Sequence, residues 1–151
     1  THALACLKLD ARVLNGLWTS DHWEQELSSP QRICIGIAAG ENRILAMACG
    51  WVVLDELQIT LLGVEPEQRR RGLGRTVLKR LLLDASRAGA MHAILDVAED
   101  NHGALTFYST FGFQTVGRRD RYYRDGKNAL IQSLEMQREI KLNSINSALS
   151  W

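Results

Sequence analysis

The sequence predicts a single domain of the α+β class (mixed α/β), with a mostly antiparallel sheet flanked by helices. Two patterns support this class: residues 32–64 contain three strand-like runs joined by short turns, and residues 72–88 then change to a helical period. The chain has 151 residues, of which 46% are hydrophobic and 23% charged. That size and composition are typical of one globular domain, and they exclude a disordered chain or a membrane-spanning one.

Alternation of side chains predicts the first part of the sheet. In residues 32–38 every second side chain is an isoleucine, which is the period of two that a strand shows. Short polar turns separate this run from two more of the same kind, so three consecutive strands are expected to form an antiparallel meander. The three strands are predicted over 32–38, 44–54 and 57–64. Ahead of them, residues 10–28 have the loose helical spacing of one or two helices.

The second part of the chain is predicted to alternate helices and strands. A stripe of apolar residues predicts a helix over 72–88, which Gly89 would end. Asn101 would cap a second, short helix. The remaining strands are predicted over 92–98, 113–118 and 128–135. The domain is therefore expected to comprise residues 1–136, followed by a polar C-terminal tail over 137–151.

Charge and cysteine content exclude several classes of protein. Lys and Arg number 18 against 17 Asp and Glu, and a formal charge of +1 argues against a general nucleic-acid binder. The cysteines Cys6, Cys34 and Cys49 lie in apolar stretches without zinc spacing, so they are expected to be reduced core residues. The N-terminus lacks a secretory signal, and no apolar run approaches the ~18 residues that span a bilayer. We therefore expect a cytoplasmic protein that binds neither membrane, nor metal, nor nucleic acid directly, and whose oligomeric state stays open.

The most informative segment joins the third strand to the first long helix. It is rich in arginine and glycine and contains Arg69, Arg70, Arg71, Gly72, Leu73, Gly74 and Arg75. The start of a helix carries about four unpaired N–H groups and roughly half a positive charge, and glycines let an anion approach that backbone closely. The spacing fits neither a Walker loop nor a dinucleotide fingerprint. The segment favours diphosphate binding, with a solvated basic face as the alternative.

Several motifs together resemble the Gcn5-related N-acetyltransferase (GNAT) family. Arg69-x-x-Gly72-x-Gly74 resembles the acyl-coenzyme A loop of that family, Q/R-x-x-G-x-G/A. The downstream motifs follow at the distances found in the family: Leu95-Asp96-Val97, Asn101, Ala104-Leu105-Thr106-Phe107-Tyr108-Ser109-Thr110-Phe111-Gly112-Phe113, and Tyr122-Tyr123 with Asp125-Gly126-Lys127-Asn128-Ala129-Leu130. The closing run is similar to the RimI-type branch, which acetylates the N-terminal alanine of a small-subunit ribosomal protein. The resemblance covers residues 3–135.

This resemblance implies a fold and a reaction. The GNAT sheet is strongly twisted and splits between its fourth and fifth strands, which would be 57–64 and 92–98 here. The pantetheine arm of acetyl-CoA would lie in the split, and acetyl would pass by direct attack to a protein N-terminal α-amine. One alternative is acetylation of a small-molecule amine. Another, of a different class, is a non-catalytic module that binds ribosomal RNA through its arginines.

The resemblance also implies two catalytic residues. Asp96, a carboxylate in an apolar strand, would be the general base, and Tyr108 would be the acid for the leaving thiolate. Asp96 is one methylene shorter than the glutamate usual at this position, which favours a base that acts through water. The alternatives are a structural hydrogen bond for Asp96 and core packing for Tyr108.

The remaining site residues are implied by their positions in the family motifs. Coenzyme A would be bound by Leu62, Gly63, Val64, Arg69, Arg70, Arg71, Gly72, Leu73, Gly74, Arg75, Asn101 and Tyr108. The acceptor would be bound by Trp18, Tyr122 and Tyr123. A plain helix cap is the alternative for Asn101, and an ordinary packing role is the alternative for the tyrosine pair. The acidic residues expected to attract a basic peptide, or else to be solvated, are Glu56, Glu99 and Asp100.

Overall fold

The computed structural model describes residues 32–39, 43–69 and 71–136. This part of the chain forms one six-stranded sheet with two α-helices and one 3₁₀ turn. The strands are β1 (Arg32–Ala38), β2 (Ile44–Val53), β3 (Glu56–Val64), β4 (His92–Ala98), β5 (Gln114–Arg119) and β6 (Ala129–Glu135). The helices are α1 (Leu73–Arg87) and α2 (His102–Ser109), and the 3₁₀ turn is Pro66–Gln68. The helices predicted within 10–28, the tail 137–151, Trp18 and Arg70 lie outside the described residues.

Each strand and helix predicted within the described residues is confirmed. One difference is that β2 ends at Val53, one residue earlier than expected. Leu54 adopts a left-handed backbone with φ of 57° and begins the turn, which removes it from the strand. Cys49 is buried, as expected for a core cysteine, whereas Cys34 is only partly buried. Neither α-helix of the described residues is long and apolar enough to cross a membrane.

The order of strands in the sheet is β1-β2-β3-β4-β6-β5. The first three strands form the predicted antiparallel meander, and β6 is antiparallel to both β4 and β5. Among the strands of the described residues, β3 and β4 alone run parallel, because α1 carries the chain across the sheet between them. The sheet is therefore mixed and mostly antiparallel, as the sequence predicts.

Helix α1 supplies the centre of the core on one face of the sheet. Its apolar stripe is buried as predicted and consists of Val77, Leu78, Leu81, Leu82 and Ala85. Full burial of one leucine or valine stabilises a fold by about 1.5–3 kcal/mol, so this stripe holds the helix against β1, β2 and β3. The helix ends at Arg87, and Gly89 follows its end with φ of 101°. The Ala90 N–H donates to the Ala85 carbonyl at 2.9 Å, which satisfies an end-of-helix acceptor.

The sheet splits between β3 and β4, as expected for strands 57–64 and 92–98. The two strands pair over three residues only, Glu56–Gln58 with His92–Ile94. Just beyond, Thr60 is an extra residue in β3, because Ile59 pairs with Gly50 while Leu61 pairs with Cys49. Such a bulge bends a strand and increases its twist. The bulge therefore coincides with the point at which β3 leaves β4.

Gly50 faces this bulge with no room for a side chain. A Cβ at that position would lie 2.7 Å from the Gln58 carbonyl oxygen and 3.3 Å from the Ile59 Cα. Backbone cannot move aside as a flexible side chain can. Gly50→Ala is therefore expected to lower the free energy of unfolding by about 1–3 kcal/mol, measured by urea denaturation.

Gly36→Ala is the matched control for this prediction. A Cβ at Gly36 would meet its nearest atom, the Ala46 carbonyl oxygen, at 3.8 Å, which is ordinary contact. Because alanine also restricts the unfolded chain, this variant is expected to match or exceed the wild-type stability by up to about 1 kcal/mol. Equal stability of the Gly50→Ala variant and the wild type would contradict the close approach at the bulge.

Candidate active site

The split between β3 and β4 opens a cleft of about 350 Å³. Its walls are the diverging strands, the start of α2 and the loop before β6. The lining residues are Ile59, Thr60, Leu61, Leu62, Leu95, Asp96, Val97, Ala98, Asn101, Ala104, Tyr108 and Tyr123. Five residues singled out from the sequence thus meet at one cavity: Leu62, Asp96, Asn101, Tyr108 and Tyr123.

The edge of β3 presents backbone groups to this cleft. Hydrogen-bonded and non-hydrogen-bonded pairs alternate along an antiparallel ladder. The Glu65 N–H donates to the Leu45 carbonyl of β2 at 2.7 Å, which fixes the phase of the β2–β3 ladder. It follows that Gly63 hydrogen-bonds to β2, whereas the N–H and C=O groups of Leu62 and Val64 point away from it. No described strand pairs with that edge beyond the bulge.

The start of α1 leaves its first N–H groups without a side-chain cap. The cap residue is Gly72, with φ of 78°, and no acidic residue occupies the first turn. This left-handed backbone costs a residue with a side chain about 1–2 kcal/mol, and the space beside Gly72 is open. The arrangement fits an anion, because the N–H groups and the helix dipole are both available to it.

Gly74 allows close packing, a role that the sequence does not reveal. A Cβ here would lie 3.3 Å from Val64 Cγ2 and 3.7 Å from Phe107 Cζ. The missing side chain therefore allows the start of α1 to pack closely against the end of β3 and against α2. This packing sets the position of the helix terminus relative to the open strand edge. The role of Gly74 in the approach of an anion to the backbone stays a prediction.

The arginines of the loop differ in their surroundings. Arg69 and Arg71 are exposed. Arg75 Nη1 donates to Thr110 Oγ1 at 3.0 Å, and its guanidinium lies 4.6 Å from the centre of the Phe111 ring. The Arg75 side chain thus connects the first turn of α1 to the end of α2. At the start of α1 the donors available to an anion are therefore backbone N–H groups more than arginine side chains.

Asp96 lies on β4 and is partly exposed at the cleft. Its neighbours Leu95 and Val97 point into the core, so its carboxylate faces the opposite side of the sheet. Arg119 Nε donates to Asp96 Oδ1 at 3.2 Å. A structural hydrogen bond is the alternative role that the sequence offers for Asp96, and the structure contains one. The sequence does not identify Arg119 as the partner.

Tyr108 combines packing in the core with access to the cleft. Its ring meets Phe107 and Phe113 edge to face, at centroid distances of 5.3 and 5.6 Å. Burial raises the pKa of Tyr108 well above its ordinary value, and the neighbouring Tyr123 raises it further. The core-packing alternative is thus confirmed, while the phenol keeps its proton at neutral pH. Tyr108 belongs to the core face of the sheet, opposite the face that carries Asp96.

Tyr123 lies at the cleft with both candidate catalytic residues. It lines the cleft, and its pKa is raised first by burial and then by the negative charge of Asp96. Tyr122 lies beside it, with the two rings edge to face at 5.1 Å, and is 52% exposed. Of the tyrosine pair, Tyr123 is therefore the member that faces the cavity.

Asn101 caps α2, as the alternative interpretation predicts. Its Oδ1 accepts a hydrogen bond from the Ala104 N–H at 3.1 Å. The same side chain lines the cleft. Because the oxygen is occupied by the cap, the amide nitrogen is the group that Asn101 could offer to a ligand.

The acidic residues near the site are paired within the protein. Lys127 Nζ lies 2.8 Å from Asp100 Oδ2, and this hydrogen bond lowers the pKa of Asp100 and raises that of Lys127. Glu99 accepts from Asn128 Nδ2 at 3.2 Å. Glu56 lies at the far end of β3 and contacts His92 at 3.3 Å. Asp100 and Glu99 thus connect the β4–α2 loop to the β5–β6 loop. Attraction of a basic peptide by these residues stays a prediction.

Comparison with known proteins identifies the class of enzyme. The model of the acetyltransferase (GNAT) family matches residues 5–113. The chain therefore belongs to the GNAT family and is an N-acetyltransferase. This confirms the resemblance found in the sequence and the split-sheet fold that it implies.

Similar proteins indicate which branch of the GNAT family this chain resembles. The N-alpha-acetyltransferase RimI of Mycobacterium tuberculosis is 35% identical over 127 residues, which are 81% of this chain and 78% of that protein. A [ribosomal protein bS18]-alanine N-acetyltransferase of Salmonella typhimurium is 33% identical over 97 residues, 62% of this chain and 66% of that protein. The crystal structure of the ribosomal-protein-S18-alanine N-acetyltransferase from Escherichia coli covers 89% of this chain and 87% of its own, with a TM-score of 0.80 and 26% identity. The RimI-type resemblance is thus confirmed.

The raised pKa of Tyr108 predicts a loss of stability at alkaline pH. A tyrosine in the unfolded chain ionises near pH 10, whereas the buried phenol of the folded protein keeps its proton to higher pH. The contribution of the buried, neutral phenol to the free energy of unfolding is fully present below about pH 10. Above that pH the free energy of unfolding falls by up to about 1.4 kcal/mol per pH unit. Tyr108→Phe is expected to flatten this dependence in urea unfolding measured between about pH 8 and 11.

Tyr122→Phe is the control, because that ring is exposed and lies outside the core. It is expected to keep the wild-type slope of unfolding free energy against pH. If the Tyr108→Phe variant and the wild type lose stability equally above pH 10, burial does not raise the pKa of Tyr108.

Proposed function

We propose that this enzyme transfers acetyl from acetyl-CoA to the α-amine of a protein N-terminus, and that its acceptor is the N-terminal alanine of a small-subunit ribosomal protein. The observation that carries the proposal is the cleft between β3 and β4. It has an open strand edge on one wall, and Asp96 and Tyr108 approach it from opposite faces of the sheet. The names of the similar proteins support the acceptor, and an acceptor that is a ribosomal protein would favour a cytoplasmic enzyme. The catalytic domain would comprise residues 1–136, with 137–151 as its tail.

Coenzyme A would bind along β3 and end at the start of α1. The outward N–H and C=O groups of Leu62 and the C=O group of Val64 can pair with the amides of a pantetheine arm, as a neighbouring strand would. The Val64 N–H is then left for the carbonyl oxygen of the acyl group. The N–H groups after Gly72 would hold the pyrophosphate, with Arg69, Arg70, Arg71 and Arg75 around it. The helix terminus contributes about 0.3–2 kcal/mol and each neutral hydrogen bond about 0.5–1.5 kcal/mol. The backbone of Gly63 is hydrogen-bonded to β2, so Gly63 would contribute by its small size. The Asn101 amide nitrogen would donate a hydrogen bond to the pantetheine arm.

The acceptor amine must lose a proton before it attacks. An α-amine has a pKa near 8, so roughly a tenth is neutral at pH 7, against less than about a thousandth of a lysine side chain. The base therefore needs little strength. Asp96 would accept the proton through a water molecule, because its short side chain stays close to β4. The Val64 N–H would stabilise the negative charge on the carbonyl oxygen as the new C–N bond forms.

Tyr108 would act on the leaving sulfur. A coenzyme thiolate has a pKa near that of a cysteine, about 8.5, so it leaves more readily when a donor stabilises it. The raised pKa of Tyr108 keeps its proton in place for that hydrogen bond. Overall the C–S bond breaks, the C–N bond forms, and one proton passes from the amine nitrogen to the sulfur. Tyr123 would hold the acceptor backbone at the cleft, with Tyr122 and Trp18 as further acceptor contacts.

A peptide panel tests the proposal. Peptides that begin with Ala, Ser or Gly, a matched peptide with a blocked N-terminus and a free lysine, and a polyamine are incubated with acetyl-CoA, and the acetyl group is located by mass spectrometry. We expect acetylation of the α-amine, fastest for the Ala peptide, and none of the blocked peptide. Tyr108→Phe is expected to slow turnover about 10²–10⁴-fold while acetyl-CoA affinity is retained. Acetylation of the polyamine or the lysine alone would contradict the proposal.

A further inference from the structure

We infer that Arg119 is a positioning residue for this reaction: it fixes the carboxylate of Asp96 at the cleft and acts on catalysis only through that carboxylate. The inference rests on the proposed function, in which Asp96 is the base. It arises from the contact between Arg119 Nε and Asp96 Oδ1 at 3.2 Å. These two residues are 23 positions apart and lie on strands that are not neighbours in the sheet.

The register of the sheet places both residues on one face. Strand β6 lies between β4 and β5, and its Ile131 is opposite Asp96 on one side and Gly117 on the other. Residues directly opposite each other share a face, and so do residues two apart along a strand. Arg119, two residues after Gly117, therefore lies on the same face as Asp96. Its side chain must cross β6 to reach the carboxylate.

Small side chains along this line make the crossing possible. Ala129 of β6 is directly opposite Arg119, and Ala98 of β4 is directly opposite Ala129. Ile131 is turned toward Gly117, with its Cδ1 3.2 Å from where a Cβ would stand. The two strand spacings to be covered amount to about 9–10 Å, which only a long side chain can bridge.

A second contact restricts the guanidinium. It lies 5.8 Å from the centre of the Tyr122 ring, which in turn packs against Tyr123. Tyr123 is close enough for the charge of Asp96 to raise its pKa, yet no hydrogen bond joins these two side chains. Arg119 thus holds one carboxylate oxygen and restricts the orientation of the Asp96 carboxylate at the cleft. A base displaced by about 1 Å can cost about 100-fold in rate, so this orientation matters for turnover.

The pair contributes little to folding, which makes its catalytic role measurable. The Arg119 side chain is 50% exposed and that of Asp96 is 25% exposed. Ion pairs as exposed as this contribute little to stability. Removal of the arginine is therefore expected to leave the protein folded.

A double-mutant cycle tests the inference. Arg119→Met is expected to lower kcat about 10–100-fold, with the KM for acetyl-CoA within about twofold of the wild type. In the Asp96→Asn background the same substitution is expected to have no further effect, because the carboxylate it positions is gone. Arg119→Lys is expected to restore part of kcat, since it keeps the charge but loses the planar fork.

Arg118→Met is the matched control. Arg118 is the preceding residue of β5, faces the other side of the sheet and pairs with Asp120 at 2.9 Å. It is expected to leave kcat unchanged, which separates the position of Arg119 from a general need for arginine in this strand. Thermal unfolding of each variant accompanies the kinetics.

Three different results separate the positioning role of Arg119, the role of Asp96 as base and the proposed acetyl transfer. An equal fold-loss from Arg119→Met in the wild-type background and in the Asp96→Asn background would overturn the inference while leaving Asp96 as the base. Full activity of Asp96→Asn would overturn the base assignment and the inference together, with acetyl transfer intact. Absence of acetyl transfer by the wild-type protein would overturn the proposed function. If Arg119→Met fails to fold, the comparison of Arg119→Lys in the two backgrounds gives the same decision.

Discussion

The open edge of β3 is the constraint on which the site depends. A backbone N–H or C=O group that leaves a sheet must find another partner, because an unpaired buried group costs as much as a lost hydrogen bond. The bulge at Thr60 carries β3 away from β4, and Gly50 gives the bulge the space it needs. The resulting edge at Leu62 and Val64 can be satisfied by water or by an extended ligand with amide groups. A split in the sheet thus becomes a binding surface without a dedicated set of polar side chains.

The rest of the site is arranged around that edge. Gly74 brings the start of α1 against the end of β3, so the uncapped N–H groups of that helix follow directly on the strand edge. Across the cleft, side chains alternate along β4, so the two candidate catalytic groups lie on opposite faces of the sheet. Asp96 faces one side, while Leu95 and Val97 lie in the core with Tyr108 on the other. An acyl group held between the strands would therefore meet a carboxylate from one side and a phenol from the other. The proposed roles of base and acid would follow from these two environments.

Local patterns explain how much could be predicted from the sequence. Period-two alternation and the apolar stripe of α1 depend on neighbours in the chain, and they locate the described strands and helices closely. The glycine-rich loop indicates the anion site for the same reason. The Asp96–Arg119 pair could not be found this way, because it depends on β6 inserting between β4 and β5. The pairing of Asp100 with Lys127 likewise requires two loops to meet, which no periodicity within either loop reveals.

Residue-resolved amide hydrogen exchange, measured by NMR with and without acetyl-CoA, tests the central claim most directly. In the protein alone, the amide of Gly63, which pairs with β2, should exchange slowly, and those of Leu62 and Val64 should exchange quickly. Saturating acetyl-CoA is expected to slow exchange at Leu62 and Val64 by more than about tenfold, as new hydrogen bonds form along the strand edge. Unchanged exchange at both amides, with protection appearing on another face of the protein, would contradict the account.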